Sequence, residues 1–113
     1  MKVHHGCPVQ ATINTLSGKW KVQAVWRLSF GPLRFAELRD LLRGVSEKVL
    51  TAQLRELEKD GVVNRAAERS SPPKVTYSLS PSGKTLIPLL EGLCDWGSKQ
   101  FGIKPNLPRN PQS

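Results

Sequence analysis

Between Arg34 and Arg65 apolar residues recur twice with helical period, separated by the short polar turn Arg43-Gly44-Val45. Phe35, Leu38, Leu41 and Leu42 form one stripe, with Glu37, Arg39 and Asp40 on the other face. Leu50, Leu54 and Leu57 then recur at i, i+4 and i+7, while Lys48, Ala52, Arg55 and Lys59 keep the same spacing about half a turn away. The second helix therefore has one face to bury and one to present. Ser46 can accept a hydrogen bond from a first-turn amide, Glu47 suits the positive helix end, and Gly61 can take the left-handed conformation after the last turn. Val49 stands where the Glu or Gln of a full capping box would sit. The pattern predicts a helix-turn-helix; an ordinary helical hairpin with solvated charges has the same periodicity.

The segment after Gly61 separates these two readings. Val62-Val63 leads into a polar run ending at Arg69, Ser70-Ser71-Pro72-Pro73 interrupts it, and Val75, Tyr77 and Leu79 alternate with Thr76 and Ser78. This predicts strand, loop and strand, with the prolines in the connection because they cannot donate to a ladder. Arg65, Arg69 and Lys74 flank the hairpin tip and suit a wing lying along a phosphate backbone. The fold class expected is mainly α with a small β-hairpin, a winged helix-turn-helix.

Helical signals also occupy both ends. Pro8 fits the first position of a helix carrying Val9, Ile13 and Leu16, and Gly18 interrupts it before Lys19-Trp20 opens another through Leu28. Gly31-Pro32 ends that one. Ser80 caps and Pro81 opens a C-terminal helix whose Leu86, Leu89, Leu90, Leu93, Cys94, Trp96 and Phe101 exceed one core-facing stripe. Excess apolar surface there predicts a subunit interface, with Ile13, Leu16, Leu86, Leu90, Leu93 and Trp96 as its candidate residues. Residues 1–103 form the expected domain, and 104–113 the expected flexible tail.

Charge specifies the partner. The 113 residues hold 17 Lys and Arg against 9 Asp and Glu, a net charge of +8, and Arg34, Arg39, Arg43, Lys48, Arg55, Lys59, Arg65 and Arg69 concentrate it around the helix pair. That favours a polyanion. An anionic membrane fits less well, because these helices carry balanced charges and core-type stripes. No apolar run is long enough to span a bilayer and the N-terminus lacks a secretory core, so the expected location is the cytoplasm. Cys7 and Cys94 form no metal-ligand spacing, and neither a metal nor a cofactor is expected. Both histidines lie in the terminal arm, and no nucleophile elbow, carboxylate cluster or phosphate loop is present, which argues against an enzyme.

The order of elements resembles the HxlR family of small bacterial and archaeal winged-helix regulators, over nearly the full chain. The resemblance is carried by Cys7-Pro8, Gly18-Lys19-Trp20, Gly31-Pro32-Leu33-Arg34-Phe35-Ala36-Glu37-Leu38, the run from Val45 to Gly61, Pro72-Pro73-Lys74-Val75-Thr76-Tyr77-Ser78-Leu79 and Asp95-Trp96-Gly97. Thr76 and Pro81 depart from the family pattern, where acidic residues are usual. The resemblance implies a homodimer joined through its first and last helices, with the helix from Ser46 in the major groove of a pseudo-palindromic duplex. Repression is the expected sense of control. A winged helix that docks RNA or protein without reading bases is the alternative.

The expected DNA-binding residues are Arg34, Ser46, Lys48, Thr51, Ala52, Arg55, Arg69, Ser70 and Lys74. Lys48 and Arg55 can meet guanine, Thr51 a base or phosphate, and Ala52 a thymine methyl. Arg34 is placed by its family position as a phosphate anchor, with a salt bridge to Glu37 or Asp40 as the other reading. Trp20, Trp26 and Trp96 are expected to pack rather than stack on bases. Cys7 precedes a proline-initiated helix, with Lys2, His4 and His5 close in sequence, a setting that favours thiolate chemistry. At the matching place some family members sense oxidants or reactive electrophiles; packing at the dimer interface is the alternative for Cys7, and the favoured role for Cys94.

Overall fold

A computed structural model describes residues 6–105. The order is α1 (Pro8–Leu16), α2 (Lys21–Leu28), β1 (Leu33–Arg34), α3 (Phe35–Leu41), α4 (Glu47–Lys59), β2 (Val63–Glu68), β3 (Lys74–Leu79), α5 (Pro81–Lys84) and α6 (Ile87–Phe101). The flanking Lys2, His4 and His5, and the tail from 106 to 113, lie outside the described residues.

The core follows the leucine stripe of α4. Leu50, Leu54 and Leu57 are fully buried and cluster with Leu38 and Leu42, with Ala24, Val25 and Leu28 of α2, and with Val63, Tyr77 and Leu79 of the sheet. Leu41 is 40% exposed and drops out of the expected stripe, because α3 ends there and Leu42 leaves helical geometry to reach the core. The ends of α4 are set by the residues that signalled them. Ser46 Oγ accepts from the Val49 amide at 3.1 Å. Gly61, at φ +79°, donates to Glu58 O at 3.0 Å, and Val62 to Leu57 O at 2.9 Å, a Schellman closure with Val62 and Leu57 buried beside it. Ser46→Ala should lower stability by about 1 kcal/mol, read as a fall of a few degrees in Tm at fixed protein concentration.

The sheet has three strands in the order β1-β3-β2, all antiparallel, where a two-stranded hairpin was expected. Leu33 and Arg34 pair with Tyr77 and Thr76, so Arg34 closes a strand and caps α3 rather than lying within it. A two-residue strand is too short to show alternation. The ladder of β2 and β3 puts Val63 opposite Leu79 and Arg65 opposite Tyr77, so the buried face turns basic toward the wing tip.

Two helices differ from the sequence reading. Trp20 caps α2, which starts at Lys21 rather than Lys19. The C-terminal helix is broken into α5 and α6 at Thr85-Leu86, because Pro88 has no N–H for Lys84 O and its ring would strike that carbonyl. The short α5 is pinned to the base of the wing: Ser80 Oγ accepts from the Gly83 amide at 2.9 Å and donates to Gly61 O at 2.6 Å. A Cβ at Gly83 would lie 2.1 Å from Val62 O, so only glycine fits.

The terminal helices are sparsely anchored. Leu16 is the one buried residue of α1, and Leu90 the one of α6. Both were expected at a subunit interface; within the protomer each belongs to the core cluster and is the attachment point of its helix.

Candidate nucleic-acid interface

With its leucines turned inward, α4 exposes its opposite side along an open cleft against the wing. The cleft encloses about 770 Å³ and is lined by Arg34, Phe35, Ala36 and Arg39 from β1 and α3, Glu47, Thr51, Arg55 and Glu58 from α4, and Arg65, Pro73, Lys74, Val75 and Tyr77 from the wing. Five cationic side chains face two carboxylates there. Glu47 is already engaged by Arg39, whose guanidinium also lies 3.6 Å from Asp40. The surplus positive charge belongs to Arg34, Arg55, Arg65 and Lys74, arranged on both walls of a groove floored by the half-buried Phe35 and buried Tyr77, whose rings are 6.5 Å apart. Such a groove suits a phosphate-lined strand along its walls, with a helix presenting side chains to base edges.

The expected contact residues divide into four groups. Arg34, Thr51, Arg55 and Lys74 meet in the cleft. Arg34 has no ion pair among the described residues; its backbone N–H donates to Glu37 Oε1 at 2.9 Å, leaving its side chain exposed. Lys48 and Ala52 are exposed on α4 but do not line the cleft. Arg69 and Ser70 occupy the wing tip, exposed, and the Ser70 hydroxyl donates to Pro72 O at 2.7 Å. Ser46 caps α4 with a lone pair and keeps its proton available. Glu47, Glu58 and Arg39 were not among the expected contact residues. The positions of Glu47 and Glu58 follow from that of Thr51, at i−4 and i+7, whereas Arg39 depends on how α3 crosses α4.

Cys7 is the N-cap residue of α1, exposed and free, with Pro8 in the first turn. Cys94 is half-buried and free; it lines an apolar depression with Val22, Gln23, Trp26, Leu90 and Leu93. Among the described residues no His, Cys, Asp and Glu gather into a group able to hold a metal, and no helix is long and apolar enough to cross a membrane.

A helix with one leucine face buried and the other side exposed, a preceding helix at its N-terminus and a basic wing at its flank define a winged helix-turn-helix protein. The chain belongs to the HxlR-like helix-turn-helix family, whose model matches residues 15–104. It is 46% identical over 94 residues to the HTH-type transcriptional regulator YdeP of Bacillus subtilis, spanning 83% of this chain and 73% of YdeP. The structure of the regulator YtcD superposes with a TM-score of 0.80 at 41% identity, covering 87% of this chain and all of that one. The redox regulator HypR in its oxidised form gives 0.77 at 41% identity, covering 82% and 96% of the two chains. The chain is thus a DNA-binding transcriptional regulator of that family.

Proposed function

We propose that this regulator acts in the cytoplasm as a homodimeric repressor on a pseudo-palindromic operator, reading bases with Thr51 and Arg55 and holding the backbone with Arg34, Arg65 and Lys74. The observation that carries the reading is the division of α4, which buries Leu50, Leu54 and Leu57 completely and turns Thr51 and Arg55 into the basic cleft. Lys48 and Ala52, on the exposed flank of the same helix, reach the neighbouring bases of the major groove. Arg69 and Ser70 at the wing tip and Ser46 at the helix start contact phosphate.

Dimerisation is supported by the terminal helices. A 15-residue helix with one buried residue does not gain enough from its own propensity to persist in water. Val9 and Ile13 on α1, and Leu89, Leu93, Trp96 and Phe101 on α6, are each between 45% and 67% exposed. Covering them with a second copy places two copies of α4 on one duplex, with half-sites one or more turns apart at roughly 34–36 Å per turn. The test is to select duplexes from a randomised pool with the purified protein and to footprint the winner. Recovery of a two-fold related motif protected on one DNA face supports the reading; enrichment of no sequence, with RNA or protein bound instead, sinks it.

Cys7 supplies the effector step. Its thiol is exposed at the first turn of α1, the helix expected to meet the partner subunit. An electrophile adding to Sγ, or a two-electron oxidation that joins Sγ to another thiol, changes the bulk at that junction and shifts the dimer away from its DNA-competent form. Diamide treatment should release the selected duplex from wild type and leave Cys7→Ser bound, with Cys94→Ser behaving like wild type. Equal release from wild type and Cys7→Ser would falsify the assignment.

A further inference from the structure

Lys21 is the buried cation among the described residues. It is 4% exposed and, with Ser80, forms the buried polar set among the described residues. It opens α2 with no acidic residue in the first turn and no side-chain cap, so a cation sits at the positive end of a helix and out of water. Its ammonium is paired with Glu56 of α4, Nζ to Oε2 at 3.2 Å, and the same oxygen accepts from Gln53 Nε2 at 3.4 Å. Glu56 is next in sequence to Arg55, the cleft arginine of α4, and close to the buried Leu54 and Leu57.

The residues just before Lys21 reach α4 from the same side. A Cβ at Gly18 would lie 3.6 Å from Gln53 Oε1, and one at Gly44, in the turn that leads into α4, would lie 3.9 Å from the Trp20 ring. Lys19 Nζ stands 4.7 Å from the centre of that ring. Gly18-Lys19-Trp20-Lys21 thus contacts the middle of α4 through Lys21 and runs close to its entry turn at Gly44.

An ion pair with one buried and one half-exposed partner is a poor device for stability, since solvent screens the exposed carboxylate and an apolar side chain in place of the buried cation commonly does as well. A directional contact does something that apolar packing does not. Leu50, Leu54 and Leu57 hold α4 against the core by shape; the charge-assisted hydrogen bond to one oxygen of Glu56 adds a contact with a preferred direction about the helix axis. A few degrees of roll would carry Thr51 and Arg55 off their base edges.

We propose that Lys21 is a positioning residue for DNA recognition: through Glu56 it fixes the roll of α4, and so the register of Thr51 and Arg55 on the bases. The inference rests on α4 being the base-reading helix.

The test uses the full chain, the duplex that wild type selects from a randomised pool, and a scrambled duplex of equal length. Lys21→Met keeps the length and packing of the side chain; Glu56→Gln alters a half-exposed position and leaves the core intact. Both should keep the wild-type affinity and salt slope on the scrambled duplex, because the Lys21 ammonium is too buried to reach a phosphate. Both should lose about tenfold in affinity for the selected duplex, so the ratio of specific to non-specific binding falls, while Tm holds in Lys21→Met and drops in Glu56→Gln, which leaves the buried ammonium without its counter-charge. The exchanged pair Lys21→Glu/Glu56→Lys should recover the ratio. A ratio within about twofold of wild type in both single variants overturns the proposal, as does a loss that tracks Tm and is not recovered by the exchange. If wild type itself fails to discriminate the two duplexes, before any substitution is made, the base-reading assignment of α4 falls and the proposal with it.

Discussion

Leu93→Asp should leave a monomer with an intact core and no operator binding. Leu93 is 54% exposed in the protomer, so the substitution opens no cavity in the cluster around Leu54 and Val25. In a dimer closed by α1 and α6 the same residue lies against a partner, where an unpaired carboxylate costs several kcal/mol. That cost falls on association, because the free protomer can keep the charge in water. Loss of several kcal/mol from a dimer that grips two half-sites should weaken operator binding by at least about 100-fold. Sedimentation should give a single-chain mass, and circular dichroism should retain α2, α3 and α4 while losing signal from the now unsupported α6. Trp96→Ala, at 63% exposure, should weaken association in the same direction with no added charge. A Leu93→Asp protein that sediments as a dimer and protects the operator like wild type would show that α6 is not the joining surface.

The readable parts of this chain are those where one residue type at one position decides local geometry. Ser46, Gly61 and the leucines at 50, 54 and 57 each have few physical alternatives, and α4 is found with the cap, the closure and the buried face that those residues imply. The wing is similar, since Pro72-Pro73 cannot enter a ladder and Tyr77 and Leu79 alternate to the inside. What periodicity does not carry is which apolar surface is already spent. Leu16 and Leu90 have the same spacing as Ile13 and Leu93, and only three-dimensional packing shows that the first two close the core while the second two remain uncovered. Ion pairs across elements are equally silent. Arg39 and Glu47 are 8 positions apart and Lys21 and Glu56 lie on helices far apart in the chain, so no i,i+4 rule reaches them.

The same limit applied to the binding face. An exposed stripe of Lys48, Ala52, Arg55 and Lys59 treats a helix as a free cylinder, whereas the wing covers one flank and makes Thr51, Arg55 and Glu58 the line that faces into the cleft. Arg55 belongs to both descriptions. It is the exposed cation that helical spacing marks and also the one the wing encloses, with Arg65 and Lys74 across the groove.

Arg55→Ala should therefore reduce affinity for the selected duplex and, more tellingly, relax discrimination at one or two base pairs of each half-site. A bidentate arginine contact to guanine O6 and N7 accounts for about 1–3 kcal/mol of preference over other bases, roughly 5- to 150-fold. Removing it leaves the leucine face of α4 untouched, because Arg55 is exposed and its neighbours Leu54 and Leu57 stay buried, so Tm should not move. Lys74 gives the contrast from the other wall of the same cleft. As the first residue of β3, exposed and paired in the ladder with Glu68, it is placed for a backbone phosphate. Lys74→Ala should weaken all duplexes alike and reduce the slope of log K against log salt by about 1, with base preference unchanged. The measurement is a titration of each variant against the selected duplex and its single-base-pair substitutions at several salt concentrations. Arg55→Ala should flatten the preference at specific positions, and Lys74→Ala should shift every curve by a common factor. Identical profiles for the two variants, both uniform across sequence, would mean that Arg55 holds phosphate and that base readout comes from Lys48 and Ala52 on the outer flank of α4.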